Sequence, residues 1–258
     1  MLGAIIGDVI GSVYEFNNIK TKDFPLFSPQ SRFTDDTVLT LATIDALLHR
    51  KTFSQAYKCW YKKYPEAGYG RAFRQWAESL DDKPYNSWGN GSAMRVSPIG
   101  LYCHTMAQVL SKAKESAEVT HNHPEGIKGA QATAACIFLA RTGKSKTQIK
   151  EYLETHFQYN LSSSLEKIRP WYRFDVSCQG SVPQAIIAFL ESKDFEDAIR
   201  NAVSLGGDSD TIACITGAIA EAYYRLIPKH IVFETRKILD ETMLKLLDSF
   251  YQEILNSS

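Results

Sequence analysis

No stretch of this chain is long and apolar enough to span a bilayer, so a helical membrane protein is not expected. Net charge is missing as well. The 29 basic residues balance 29 acidic ones, which removes a general electrostatic pull toward nucleic acid or an anionic membrane. No basic stripe interleaved with aromatics stands out. Cysteine is sparse: Cys59, Cys103, Cys136, Cys178 and Cys214 are odd in number and widely spaced, with neither a zinc knuckle nor a CxxC pair. Cys136 and Cys214 lie in apolar helical patterns and read as small core residues. Met1-Leu2-Gly3-Ala4 carries no positive leader and the apolar run is cut by Asp8, so the expected location is cytoplasmic. There is no fixed-period repeat, no low-complexity tract and no linker. At 258 residues, near the upper size for one hydrophobic core, a single domain over residues 1–258 is expected.

Strand signal is scarce too, because β-branched runs are interrupted by Ala and Gly. The economical fold class is therefore all-α, a non-bundle array of packed helices. An apolar, glycine-bearing segment at 2–15 and a loop with Pro25 and Pro29 at 16–33 come first. Residues 36–49 have a helical rhythm in Val38, Leu41, Ala42 and Leu48, with Asp45 as the polar intrusion. Thr52 with Gln55, and Ser145 with Gln148, are capping boxes that open helices. The Thr52 helix ends before Pro65, and a short helix covers 70–80. Residues 81–91 are turn-rich, and the helix that follows bends or restarts at Pro98. A long helix covers 125–141, and 160–178 reads as a lid or irregular loop. Pro183 is expected in the first turn of a helix running to Glu191. Further helices are expected at 194–204, 210–226 and 231–255.

Two acidic clusters stand far apart in this background: Thr34-Asp35-Asp36, and Asp208-Ser209-Asp210-Thr211 after Gly206-Gly207. Each precedes an apolar helical pattern. Asp and Thr are ordinary helix caps. They are also the hard oxygen ligands that suit Mg²⁺, and the carboxylates with the Thr hydroxyls leave positions open for water and a substrate oxygen. Asp8 and Glu15 lie seven residues apart in an apolar segment, close to two helical turns, so both are expected on one face of the first helix. Asp8 reads either as a structural hydrogen-bonding residue or as a supporting carboxylate. Glu15, at the segment's exit, reads as a solvated end or as a group aimed at a ligand. Gly89-Asn90-Gly91-Ser92-Ala93-Met94-Arg95 is a glycine turn entering a helix. It is an ordinary Asn-Gly turn or a phosphate cradle, with Arg95 a phosphate partner or the pair of an acidic neighbour. His121-Asn122-His123-Pro124 places two imidazoles at a helix start, for a substrate contact or a structural role.

Taken in order, Gly7-Asp8-Val9-Ile10-Gly11-Ser12-Val13-Tyr14-Glu15, Phe33-Thr34-Asp35-Asp36-Thr37, Gly89–Arg95, His121–Pro124 and Gly206–Thr211 resemble the ADP-ribosylglycohydrolase family, which includes the bacterial dinitrogenase reductase-activating glycohydrolase. The resemblance runs from the N-terminus to about residue 224. It implies a compact all-α domain with two Mg²⁺ ions (Mn²⁺ as a substitute) at the bottom of a cleft. Thr34, Asp35, Asp36, Asp208, Asp210 and Thr211 would be their ligands. Gly89, Asn90, Gly91 and Ser92 would embrace the diphosphate of ADP-ribose, with Met94, His121, His123 and Gly207 also at the substrate. Asp8, Arg95 and Ser209 would support the site. The Gly-Ser-x-Tyr-Glu form around Glu15 looks most like the branch that removes ADP-ribose from serine and from poly-ADP-ribose. There the matching glutamate is the catalytic acid/base group. Ser209 stands where the family often has Thr, and the short segment between Glu15 and Thr34 implies a smaller flap over the site than in animal relatives.

The activity so implied is hydrolysis at the distal ribose of an ADP-ribosylated protein or a small-molecule ADP-ribose conjugate, with nucleic acid-linked ADP-ribose among the candidates. The bond would break through an oxocarbenium-like transition state. A monomer without a membrane partner is expected. The rival readings are a hydrolase of O-acetyl-ADP-ribose or of another ribosyl or nucleotide compound, and a catalytically silent ADP-ribose-binding protein.

Overall fold

A computed structural model describes residues 1–256 of the chain, and within them the architecture is all-helical. The helices are α1 (Leu2–Gly11), α2 (Asp35–His49), α3 (Phe53–Lys63), α4 (Arg71–Glu78), α5 (Gly91–Met94), α6 (Ser97–Tyr102), α7 (Met106–Glu118), α8 (Pro124–Arg141), α9 (Lys146–Phe157), α10 (Leu165–Ile168), α11 (Cys178–Leu190), α12 (Phe195–Val203), α13 (Ser209–Tyr224), α14 (Lys229–Ile238) and α15 (Glu241–Asn256). Among the described residues β pairing is limited to one bridge between Gly89 and Ser177.

The arrangement is organised by α1 against α13. Every residue of α1 is buried, and α13 is buried from Ser209 to Ala220. Glycine makes the approach possible. A Cβ on Gly7 would stand 2.0 Å from the Ala213 carbonyl oxygen, and one on Gly11 would stand 2.5 Å from the Asp210 Cα. Backbone contact this close leaves no room for a side chain. It also sets Asp8, on α1, against the first turn of α13, where Asp210 lies. Helices α8, α11 and α12 pack on α13, while α2 packs on α1 and α3. Four of the five cysteines are buried and none is paired, Cys136 and Cys214 among them.

Local signals act as the side chains dictate. The Thr52–Gln55 and Ser145–Gln148 capping boxes open α3 and α9, each hydroxyl accepting from the third helical amide while the Gln reaches back. A third box, Thr105–Gln108, opens α7, a helix that the sequence reading does not include. Pro98 lies in the first turn of α6, as expected.

Three expectations are corrected. First, α1 ends at Gly11 and the chain turns through Ser12 to Tyr14, so Glu15 lies beyond the helix and does not share a helical face with Asp8. Second, Pro183 is interior to α11, whose start is set five residues earlier by Ser177 accepting from the Gly180 amide. A capping hydroxyl outweighed the first-turn preference of proline. Third, 231–255 is not one helix: Leu239 is extended, and Asp240 accepts from the Met243 amide to open α15.

Candidate active site

The two acidic clusters meet. Thr34 caps α2, its hydroxyl accepting from the Asp36 amide, and Asp208 stands at the N-cap of α13. The fold joins them through Asp8. One Asp8 oxygen accepts from the Thr34 amide at 2.9 Å, from the Thr37 amide at 3.1 Å and from the Thr37 hydroxyl; the other accepts from the Thr34 hydroxyl at 2.7 Å. The fully buried Asp8 carboxylate therefore ties the entrance of α2 onto α1. Thr211 donates to Asp36 Oδ2 at 3.2 Å, which ties α13 to α2.

Oxygens of Asp8, Asp36 and Asp210 lie within 4.8 Å of one another, as do oxygens of Glu15, Asp208 and Asp210. These two groups of carboxylates share Asp210. Asp36 Oδ1 is buried without a hydrogen-bond partner. Burial, then repulsion from Asp210 and Asp8, holds the Asp36 carboxyl well above the ordinary range; burial and Asp208 do the same to Asp210. Asp35 is also raised, by burial and then by Asp210. Asp208 is raised to about 6 by burial, against hydrogen bonds from Asp210 and Asn90. Glu15 is raised to about 8, chiefly by burial and then by Asp210. Carboxylates crowded together, with Arg32 near Glu15 as the counter-charge and one idle buried oxygen on Asp36, fit divalent cations. The threonines fit as well. Thr34 and Thr211 spend their protons on Asp8 and Asp36, which leaves oxygen lone pairs for a cation.

A cleft of about 370 Å³ opens over this cluster. Glu15, Asp35, Asp36, Asp208, Asp210 and Thr211 line it, together with Gly89, Asn90, Gly91, Met94, Arg95 and His121. Asn90 directs its side chain inward, donating to Asp208 Oδ2 at 2.6 Å and to Ser181 at 3.0 Å. The Gly89 and Asn90 amides are taken by Ser87 and by the Val176 carbonyl. Gly91 lies against the His121 imidazole, where a Cβ would meet Nε2 at 3.2 Å.

Several residues of the sequence reading stand elsewhere. Ser92 is buried and donates to the Gly126 carbonyl at 2.7 Å. Ser209 donates to the Gly11 carbonyl at 3.0 Å, helping to dock α13 on α1. His123 caps α8, accepting from the Glu125 amide, and its ring packs edge-on to Trp88. Gly207, at φ +76°, exchanges hydrogen bonds with the Asn18 amide and lies under the Tyr172 ring. Arg95 lines the cleft but pairs with no carboxylate among the described residues: it is fully buried, donating to the Ser116 carbonyl and the Thr120 hydroxyl and lying over the Tyr57 ring. The cleft lining has residues the sequence reading missed: Gly68 and Gly70 between α3 and α4, Arg71 at the start of α4, and Tyr85, Phe174 and Val176. Pro65 with two glycines in the next five positions was the available signal for the first group.

The chain resembles proteins of one kind throughout. A family model for ADP-ribosylglycohydrolases matches residues 1–258. The human ADP-ribosylhydrolase ARH3 is 30% identical, over 87% of this chain and 84% of that protein. An ADP-ribosylarginine hydrolase, Tri1, from Pseudomonas putida is 25% identical over 87% of this chain and 69% of its own length. A solved structure described as an ADP-ribosylglycohydrolase-related protein complex superposes with a TM-score of 0.76 at 26% identity, covering 98% of this chain and 95% of that one. A family match that runs the whole length, on a helical fold of the same shape, leaves one assignment: the chain belongs to the ADP-ribosylglycohydrolase family.

Proposed function

We propose that the chain hydrolyses the glycosidic bond at the distal ribose of ADP-ribose conjugates, using two Mg²⁺ ions and Glu15. The observation that carries this reading is Glu15. Its carboxyl lies within 4.8 Å of Asp208 and Asp210 oxygens in the cleft, with its pKa raised to about 8. Burial favours the protonated form that a general acid needs, while cations on Asp208 and Asp210 would draw the value down from that of the metal-free cleft. Burial is the largest cause of the shift, so the acid character does not depend on the Asp210 charge alone. Glu15 protonates the departing oxygen and, once ionised, draws a proton from the incoming water. This matters most for a serine-linked conjugate, whose leaving group is an alkoxide.

Asp35, Asp36, Asp208 and Asp210, with the Thr34 and Thr211 hydroxyls, hold the ions. When bound, the ions polarise oxygens of the distal ribose and of water. Asp8 holds the α2 entrance in place, and Asn90 aims Asp208. The diphosphate lies on the Gly91 side of the turn near His121. The similarity to ARH3 relatives supports a hydrolase of ADP-ribose conjugates. The similarity to Tri1 keeps arginine-linked ADP-ribose among the substrates to be tried. The deciding experiment offers the purified protein, with Mg²⁺, arginine-, serine- and nucleic acid-linked ADP-ribose, O-acetyl-ADP-ribose and polymer. Free ADP-ribose is measured. Release from a glycosidic conjugate that stops with EDTA is expected. Release from O-acetyl-ADP-ribose alone would make the chain an esterase. Binding of ADP-ribose without release would make it a silent reader.

A further inference from the structure

Arg95 is a buried cation with no acidic partner. It is 0% exposed, and among the described residues no carboxylate pairs with it. Its Nη2 gives both hydrogens, one to the Ser116 carbonyl at 2.9 Å and one to Thr120 Oγ1 at 2.7 Å. Its plane lies 4.2 Å over the Tyr57 ring, while Nε and Nη1 are buried without partners. A guanidinium held this way is expensive to bury. Of its two contacts, the Thr120 hydroxyl leads to the cleft: Thr120 Oγ1 lies 2.7 Å from Nδ1 of His121, which lines it.

The hydrogen bonds in this chain have a direction. Arg95 can only donate, so Thr120 Oγ1 accepts from it. The hydroxyl has one proton left to give; Nδ1 is in reach, and the Tyr85 hydroxyl, which also bonds to Thr120, can donate to the same oxygen and leave that proton for Nδ1. If Nδ1 carried a proton instead, an N–H would point at an oxygen already facing a cation. The imidazole dipole agrees, because its lone-pair end is the negative end and belongs toward the guanidinium. Burial of the ring, and after it the same cation, hold the His121 pKa well below its ordinary value, so the ring is neutral. A neutral ring that accepts at Nδ1 carries its proton on Nε2. Nε2 is the atom beside the turn, since a Cβ on Gly91 would come within 3.2 Å of it and one on Gly89 within 3.6 Å.

We propose that Arg95, acting through the Thr120 hydroxyl, is a positioning residue that fixes His121 in its Nε2–H tautomer. An uncharged imidazole then presents a hydrogen-bond donor to an anionic or hydroxyl-bearing part of the ligand above the Gly89–Gly91 turn. The identity of that ligand rests on the function proposed above; the relay itself does not. The arrangement gives the cleft a donor whose orientation is preset and which does not add a second positive charge next to Arg95.

The test uses the full-length protein labelled with ¹⁵N in histidine. Long-range proton–nitrogen correlation spectra at pH 7.5 distinguish the two tautomers, and His121→Gln identifies the signal. The expected wild-type pattern is a protonated Nε2 with a bare Nδ1. Thr120→Val and Arg95→Met should turn it into a mixture, and Thr120→Ser should restore it. In parallel, calorimetry with ADP-ribose should show about tenfold weaker binding for Thr120→Val, one neutral hydrogen bond's worth, and recovery in Thr120→Ser. Thr120→Val is isosteric, so it keeps the inference testable if Arg95→Met does not fold. A wild-type His121 protonated at Nδ1, or a Thr120→Val spectrum identical to wild type, would overturn the relay. Wild-type protein with the expected tautomer and no affinity for ADP-ribose would leave the relay standing and overturn the proposed function.

Discussion

Asn18 and Gly207 exchange two hydrogen bonds between the segment after Glu15 and the turn before Asp208. The Gly207 amide donates to Asn18 Oδ1 at 2.7 Å, and Asn18 Nδ2 donates to the Gly207 carbonyl at 3.0 Å. The same Nδ2 reaches the Glu15 carbonyl at 2.8 Å. One side chain thus fixes the turn that holds Glu15 onto the turn that delivers Asp208 and Asp210. Neither turn is helical at this point, so helix packing alone does not set their separation.

Asn18→Ala should leave the fold intact and loosen Glu15 relative to Asp210. The expected result is kcat lowered by about 10- to 100-fold, since small misplacements of an acid are costly. ADP-ribose affinity should stay within about threefold, as Asn18 does not line the cleft. Unchanged kcat on a serine-linked conjugate would show that the Glu15 turn is held by other contacts.

The carboxylate cluster makes stability depend on metal and pH together. Glu15 and Asp208 are raised to about 8 and about 6, both above the ordinary carboxylate value of about 4. A carboxyl raised in the folded state favours folding while protonated. That contribution is present below about pH 4 and is lost as pH rises through 6 and then 8. EDTA-treated protein should therefore lose stability between about pH 4 and about pH 8. Mg²⁺ should raise the Tm more at pH 8 than at pH 5, by the linkage of binding to folding. Asp36→Asn should raise the Tm of the metal-free protein, abolish turnover and weaken the Mg²⁺ response. Equal Mg²⁺ shifts at both pH values would show that the cluster is not a cation site.

Asp45 is the opposite case. Burial pushes its carboxyl up, but hydrogen bonds from Lys51, Trp60 and His49 outweigh that and leave it below its ordinary value. Stability from Asp45 is thus present above about pH 4 and lost as pH falls through the depressed value. Asp45→Asn should cost about 1–2 kcal/mol at pH 7, given that Lys51 and His49 are partly exposed. The difference should shrink toward pH 3 in urea titrations. A cost that stays constant with pH would assign the loss to packing against Trp60.

Legibility in the sequence followed the range of the forces. Capping at Thr52 and Ser145 is a matter of four residues and was readable; so was the restart at Pro98. The break at Leu239–Asp240 was not, because the apolar rhythm of α14 and α15 continues across it. The acidic clusters were visible as pairs of helix entrances. What joins them, four hydrogen bonds to Asp8 and the Gly7 and Gly11 contacts with α13, is tertiary and leaves no periodic mark. Arg95 shows the limit most clearly. Its place after the glycine turn suggested a phosphate partner, yet the end of α5 carries it inward onto Tyr57 and Thr120.

The lining of the cleft offers a second test of binding. Gly91→Ala puts a methyl about 3.2 Å from His121 Nε2, tight enough that the ring must give by a few tenths of an ångström, and Gly91→Val adds bulk where the ligand would approach. ADP-ribose affinity should fall by about tenfold or more in the valine variant, with Mg²⁺ binding retained because the carboxylates are untouched. Calorimetry with each ligand separately checks both halves. Equal ADP-ribose affinity in a folded Gly91→Val protein would reduce the segment to a turn.

Glu15→Gln addresses the chemistry directly. The amide keeps the shape of the carboxyl and its place near Asp208 and Asp210, but has no proton to transfer. Mg²⁺ and ADP-ribose affinity should remain within a few-fold of wild type. Single turnovers of a serine-linked conjugate should slow by about 10²–10⁴-fold, the usual scale of general acid–base catalysis. The slowing should be smaller for conjugates whose leaving group departs without a proton, because the acid step then contributes less. Wild-type rates should also fall with rising pH as Glu15 gives up its proton, at a pH below the metal-free value of about 8 because bound cations favour its charged form. The variant, having no such group, should show no fall in that range. A Glu15→Gln enzyme that works within a few-fold of wild type, with the alkaline fall retained, would reduce Glu15 to a residue that only positions the substrate.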